Sequence, residues 1–221
     1  MNKIISIEGN IGSGKSTLLL NLQDEFKDNK NVIFLKEPVD EWETFQDENG
    51  ITMLEKFYGN QEKYSFPFQM MAFISRLSLL KDSIKNNPDA IFITERSLYT
   101  DKMVFAKMLY DTGKIELINY KIYLKWFDVF ITECAVNHII YVKTDPEICF
   151  NRIIKRSRTG EGNIPIEYLK NCHLYHENML DKFSEDCVCK NQLILDGNID
   201  IYENKECLKE WIDKIKEIVN K

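Results

Sequence analysis

The chain is 221 residues long, enough for one sizeable α/β domain, and its 44% hydrophobic and 29% charged content is that of an ordinary globular protein. A net charge of −6 argues against a nucleic-acid polymer as partner, although nucleotide phosphates need only a local cluster of cations. No apolar run is long enough to span a bilayer, no signal peptide precedes the first apolar segment, and the six cysteines lack Cys-x-x-Cys spacing. Reduced thiols, no membrane partner and a cytoplasmic location are therefore expected, with an organelle as the alternative.

Residues 3–7 read as a buried strand that runs into Gly9-Asn10-Ile11-Gly12-Ser13-Gly14-Lys15-Ser16-Thr17. This stretch fits the phosphate-loop pattern G-x-x-x-x-G-K-[ST]. Its glycines let the backbone curl so that several N–H groups face a phosphate, Lys15 adds a positive charge, and the Ser16 hydroxyl can hold Mg²⁺. A helix over 16–26, with Leu18, Leu19, Leu22 and Phe26 at helical spacing, adds the positive end of its dipole.

A second strand at 32–35 ends at Glu37-Pro38, which places a carboxylate where it could take a proton from a substrate hydroxyl. A long helical pattern over 64–84 carries Gln69 and Arg76, seven apart on one face. The Gln69 amide can pair with a nucleobase edge. A third strand at 90–94 leads to Glu95-Arg96-Ser97, where the glutamate suits Mg²⁺ or its waters and the arginine suits phosphoryl oxygens. Asp101 and Phe105 share a face of the next helix, and Phe105 can cover a base.

Residues 120–130 read as an aromatic-rich helix. After a fourth strand at 139–142, Arg152 and Arg156 share a helix face, and Arg158 follows in a loop with Gly160 and Gly162. That segment, about 156–164, reads as a cationic lid. His173 and His176, three apart, read as helix packing rather than a metal site, and Cys187 and Cys189 as reduced thiols. A fifth strand at 193–195 precedes Asp196-Gly197-Asn198.

Strands alternating with helices predict a five-stranded parallel sheet covered by helices on both faces, in a single domain spanning 1–221. In such sheets ligands bind beyond the carboxyl ends of the strands, and the polar motifs lie there.

Six segments carry a family resemblance: IEGNIGSGKST at 7–17, EPVDEW at 37–42, YSFPFQ at 64–69, ERSLYTD at 95–101, RIIKRSR at 152–158 and IPIEYL at 164–169. The chain resembles the deoxynucleoside kinases of the deoxycytidine/deoxyguanosine kinase type, which include the insect multisubstrate enzyme and mitochondrial thymidine kinase. The resemblance implies a P-loop kinase fold with an arginine-rich lid, and Mg²⁺-dependent transfer of the γ-phosphate of ATP, or another triphosphate, to the 5′-hydroxyl of a deoxynucleoside.

The resemblance also implies roles. Glu37 matches the general base, Arg96 the arginine near the same oxygen, and Ser16 and Glu95 the magnesium positions. Gln69 matches the base-binding glutamine, Phe105 the stacking aromatic, and Trp42, Leu54 and Phe57 the pocket walls. Tyr58 and Glu161 match the pair on the sugar 3′-hydroxyl, Arg152, Arg156 and Arg158 the lid arginines, and Asp200 and Ile201 the donor-base loop. Arg76 and Asp101 match residues that favour deoxycytidine and purine deoxynucleosides over thymidine. Relatives usually carry two adjacent acidic lid residues where only Glu161 stands here, and an aromatic is common in place of Ile201. A homodimer is implied, with the aromatic-rich helix over 120–130 as the candidate for part of its surface. A thymidylate-type monophosphate kinase and a non-catalytic nucleotide-binding subunit are the competing readings.

Overall fold

The structure is a computed structural model that describes residues 2–156 and 164–220. Its centre is one sheet of five parallel strands in the order β2-β3-β1-β4-β5. These are β1 (Lys3–Glu8), β2 (Val32–Leu35), β3 (Ile91–Glu95), β4 (His138–Lys143) and β5 (Gln192–Asp196). The expected five-stranded α/β sheet is present, with small shifts at strand ends. Ala90 belongs to the preceding turn, where its N–H bonds the Asn87 carbonyl, whereas Glu95 pairs in register with Ile7 and so ends β3.

Alternation along β1 explains why both faces are covered. Ile5 and Ile7 pack on one side with Ile93, Ile140 and Val142. There they meet α1 (Lys15–Glu25) through Leu18, Leu19 and Leu22, and α10 (Lys205–Val219) through Trp211 and Ile215. Ile4, with Phe92 and Leu35, faces the opposite layer. That layer holds α2 (Val39–Trp42), α3 (Met53–Gly59), α4 (Gln61–Asn86), α6 (Lys107–Asp111) and α7 (Leu117–Phe130). A helical run from α5 (Leu98–Thr100) into α6 is wound as a π-helix over Asp101–Ala106. Helices α8 (Pro146–Arg156) and α9 (Ile166–Leu180) lie between β4 and β5 in sequence. All six cysteines are thiols, with no disulfide among them.

Local signals set the ends of the helices that carry the site. Thr52 and Glu55 form a reciprocal capping box at the start of α3. Asn60 ends α3, and its side chain accepts from the Lys63 N–H to open α4. The observed α4 is therefore longer than the expected 64–84, and Pro67 lies inside it at the cost of one backbone bond. Further along, Phe73 is buried against Tyr123 and Phe127 of α7, with ring centroids 5.7 and 6.2 Å away.

Phe73→Ala should therefore destabilise the chain by about 3–5 kcal/mol through the cavity it leaves. Urea unfolding measures this, and a loss under about 1 kcal/mol would mean that α4 and α7 do not depend on this contact.

Candidate active site

Strand order brings the motifs together. Strand β1 lies between β3 and β4, so the connections diverge to opposite sides at this point and open a crevice beyond the strand ends. A cavity of about 710 Å³ fills that crevice. Its lining runs from the phosphate loop through Glu37, Glu95 and Arg96 to Gln69, Asp101 and Phe105 on the opposite side.

The phosphate loop takes a shape that only glycine allows at two points. Gly9 has φ 148° and Gly12 φ 78°, and a Cβ on either would lie 2.6 Å from a carbonyl oxygen, that of Val142 or Cys149 respectively. Asn10 ties the loop to α9 by donating to the Leu169 carbonyl at 2.8 Å, and Thr144 Oγ1 donates to the Ser13 carbonyl at 3.1 Å. Lys15 is buried, and its Nζ donates to the Asn10 carbonyl at 2.7 Å. Burial and then repulsion from Arg96 lower its ammonium to about 8, against the pull of Glu95 and Glu37.

Beside the loop, Ser16 Oγ donates to Glu95 Oε1 at 2.6 Å. A hydroxyl and a carboxylate side by side are hard oxygen donors that fit Mg²⁺, which completes its shell with phosphate and water oxygens. Among the described residues no group of three or more His, Cys, Asp or Glu side chains could hold a metal by itself.

At the end of β2, Glu37 is gripped by two arginines. Arg96 Nη1 donates to both of its oxygens, at 2.6 and 2.8 Å, and Arg76 Nη2 donates to Oε1 at 2.9 Å. Burial opposes ionisation of Glu37, but Arg96, Arg76 and Lys15 outweigh it and hold the carboxyl at about 2. Arg76 also donates from Nε to Asp101 Oδ2 at 2.9 Å and from Nη1 to the Glu95 carbonyl at 2.7 Å. Arg76 thus stands behind the cavity wall formed by Glu37 and Asp101 rather than in the wall itself.

Arg96 has φ 62°, the left-handed region that costs a non-glycine residue about 1–2 kcal/mol. Its guanidinium stacks on Phe105, 5.1 Å from the ring centroid, and its Nε and Nη2 have no partner among the described residues. Behind Phe105 lies buried His176, edge-on to that ring and parallel to Tyr141. Burial lowers the His176 imidazole to about 3, so it is neutral and acts by packing, as expected from the sequence.

The far end of the cavity is aromatic. Trp42, Leu54 and Phe57 line it, and Phe68, Ala72 and Tyr168 join them without having been picked out from the sequence. Phe57 stacks on Phe68 at 4.5 Å, and Tyr168 meets Phe57 and Tyr58 edge-on. Tyr58 lines the same cavity. Gln69 is buried, with its Oε1 unpartnered among the described residues.

On the other side Arg152 and Arg156 line the cavity from α8. Arg152 Nη1 donates to the Gly197 carbonyl at 2.9 Å and the Ser13 carbonyl at 3.3 Å, which joins α8 to the phosphate loop and to the turn after β5. Asp200 and Ile201 follow that turn and also line the cavity, with Tyr202 beside them. Arg158, Glu161 and the rest of segment 157–163 lie outside the described residues.

The family model for deoxynucleoside kinases matches residues 5–220. The chain belongs to the deoxynucleoside kinase family. A probable deoxycytidine kinase of fowlpox virus (strain NVSL) is 33% identical, over 99% of this chain and 89% of its own length. Deoxycytidine kinase of Homo sapiens is 33% identical, over 99% of this chain and 91% of its own. A mitochondrial deoxyguanosine kinase of Xenopus laevis is 29% identical, over 98% and 89%. This kinase is a phosphotransferase, and among its described residues no helix is long and apolar enough to cross a membrane.

The grip on Glu37 sets a pH signature. Its value in the folded chain lies below the ordinary 4.5, so its pairing stabilises the fold above that pH and the contribution is lost as pH falls through about 2. Arg76→Leu removes one of the two guanidiniums while burial remains, so Glu37 should titrate at distinctly higher pH. ¹³C NMR of glutamate-labelled protein reads the midpoint, and an unchanged midpoint would remove Arg76 from this role.

Proposed function

We propose that this kinase transfers the γ-phosphate of ATP, or another nucleoside triphosphate, to the 5′-hydroxyl of a deoxynucleoside, and that it favours deoxycytidine and purine deoxynucleosides over thymidine. The observation that carries this reading is the meeting, in one cavity, of a phosphate loop with its buried lysine and a carboxylate held ionised by two arginines. The relatives named deoxycytidine and deoxyguanosine kinase support the choice of acceptor.

In this reading the loop N–H groups and Lys15 bind the donor phosphates, and Arg152, Arg156 and Arg158 add charge around them. Glu37 accepts the proton of the 5′-hydroxyl as that oxygen attacks, and Arg96 turns its unpartnered N–H groups to the transferring phosphoryl oxygens. Ser16 and Glu95 would hold Mg²⁺, which neutralises charge on the donor phosphates when bound. Gln69 pairs with the base and Phe105 covers it, while Tyr58 and Glu161 take the 3′-hydroxyl. Asp200 and Ile201 border the donor base.

Base choice falls to Asp101, which lines the cavity and is oriented by Arg76. Its carboxylate can accept from the amino group of cytosine or adenine, whereas thymine presents a carbonyl at the cytosine position and leaves the Asp101 oxygen that Arg76 does not hold without that donor. That mismatch is worth about 1–3 kcal/mol, roughly 5- to 150-fold. The test is kcat/KM for the four deoxynucleosides and their monophosphates. Wild type should prefer deoxycytidine or a purine deoxynucleoside, with the monophosphates inactive. Arg76→Met with Asp101→Ala should shift the ratio toward thymidine, and should also lower kcat because Arg76 supports Glu37. A wild type that prefers thymidine, or a monophosphate, would overturn the reading.

The kinase is further proposed to act as a homodimer. Ile118, Ile122, Trp126 and Val129 of α7 are exposed along one side of that helix, with Ile74 of α4 beside them. A surface this apolar marks a partner face, and the family resemblance makes a second copy the occupant. Ile122→Glu with Trp126→Glu should convert a dimer to a monomer in light scattering after gel filtration. A monomeric wild type would refute the assignment.

A further inference from the structure

Glu8 is the last residue of β1 and is fully buried, directly ahead of the phosphate loop. It does not line the cavity. Three hydroxyls donate to its carboxylate: Ser6 Oγ at 2.7 Å, Ser97 Oγ at 2.7 Å, and Thr100 Oγ1 through a short bond. A carboxylate is the side chain that can accept several such bonds at once, because both oxygens are acceptors only.

Two of the three donors lie just after a special turn. Ser97 caps α5, its Oγ accepting from the Thr100 N–H at 3.4 Å, so the two residues form one unit. The residue before this unit is Arg96, the one non-glycine residue with positive φ among those described. On its other side, the Arg96 N–H donates to the Ile7 carbonyl at 2.9 Å. Consecutive residues of β1 therefore hold both flanks of the turn, Ile7 through the backbone and Glu8 through Ser97 and Thr100. With both flanks fixed, residue 96 stays in a conformation that a long side chain otherwise avoids, and its guanidinium is aimed at Glu37.

We propose that Glu8, Ser97 and Thr100 are positioning residues for phosphoryl transfer: they hold residue 96 in its left-handed conformation and so keep the Arg96–Glu37 pair in register with the phosphate loop. The inference rests on the phosphoryl-transfer reading of Arg96.

Thr100→Val deletes one hydroxyl with little change of shape. It should lower kcat about 10-fold while each KM changes less than about 3-fold, and Thr100→Ser should restore most of the rate. In a background of Arg96→Ala, adding Thr100→Val should cost less than about 2-fold more, because the group it positions is already gone. Glu8→Gln, which keeps one acceptor oxygen, should also lower kcat, and lose that effect in the Arg96→Ala background. Circular dichroism confirms that each variant is folded. Multiplying losses with Arg96→Ala, or a lowered melting temperature with unchanged kcat, would overturn the positioning role. If Arg96→Ala itself keeps wild-type turnover, the phosphoryl-transfer reading of Arg96 fails instead.

Discussion

The Glu37 carboxylate between two buried guanidiniums is the interaction on which the site depends. An isolated charge in such a position would be strongly disfavoured, and a buried pair holds only when its geometry and remaining hydrogen bonds are nearly complete. Here the partners come from four parts of the chain. Glu37 follows β2, Arg96 follows β3, Arg76 projects from the middle of α4, and Asp101 begins the π-helical stretch. Each charge thus fixes an element relative to the others. Breaking such a pair typically costs about 3–5 kcal/mol, so the arrangement of this side of the cavity is coupled to the fold itself.

The phosphate-loop side of the cavity rests on a different constraint, the room available to the backbone. At Gly9 and Gly12 the loop packs directly on β4 and α8, at distances that leave no space for a side chain. That contact, with Asn10 and Arg152 bridging to α9 and to the turn after β5, makes the phosphate loop a rigid floor. Its N–H groups are then oriented in advance for an anion, and little reorganisation accompanies binding. Lys15, lowered to about 8 by burial and by Arg96, regains proton affinity when anionic phosphate comes beside it.

Between these two sides, the cavity combines aromatic walls with few polar groups. Phe57, Phe68 and Trp42 supply rigid apolar surface, while Gln69 and Asp101 are the polar groups placed against it. Such a pocket gains affinity from burial and selectivity from the few groups that must be paired. The π-wound segment contributes both Asp101 and Phe105 to the lining, and irregular helix of this kind often occurs where a site needs it.

The sequence by itself determined the elements and the kind of chemistry. Strand-length apolar runs, the glycine–lysine–serine spacing of the loop, and the charged residues just past each strand are local patterns, written in consecutive residues. They were enough for the five strands to within a residue or two and for the phosphate loop, whereas Trp42, Leu54, Phe57 and Tyr58 were reached only through the family resemblance, and Phe68, Ala72 and Tyr168 of the cavity lining carry no such local pattern. Only the tertiary structure decided what Arg76 touches, because its partners lie 39, 19 and 25 positions away. A helical wheel puts Arg76 on the face of Gln69, but the Glu37 and Asp101 charges draw it behind the wall. The same holds for the strand order, the left-handed turn at Arg96 and the hydroxyl clamp on Glu8. A glutamate ending an apolar strand looks like any strand-end acid until Ser97 and Thr100 are brought to it across the sheet. Pairing of buried charges and hydroxyls is decided by distance in space, and distance along the chain carries no record of it.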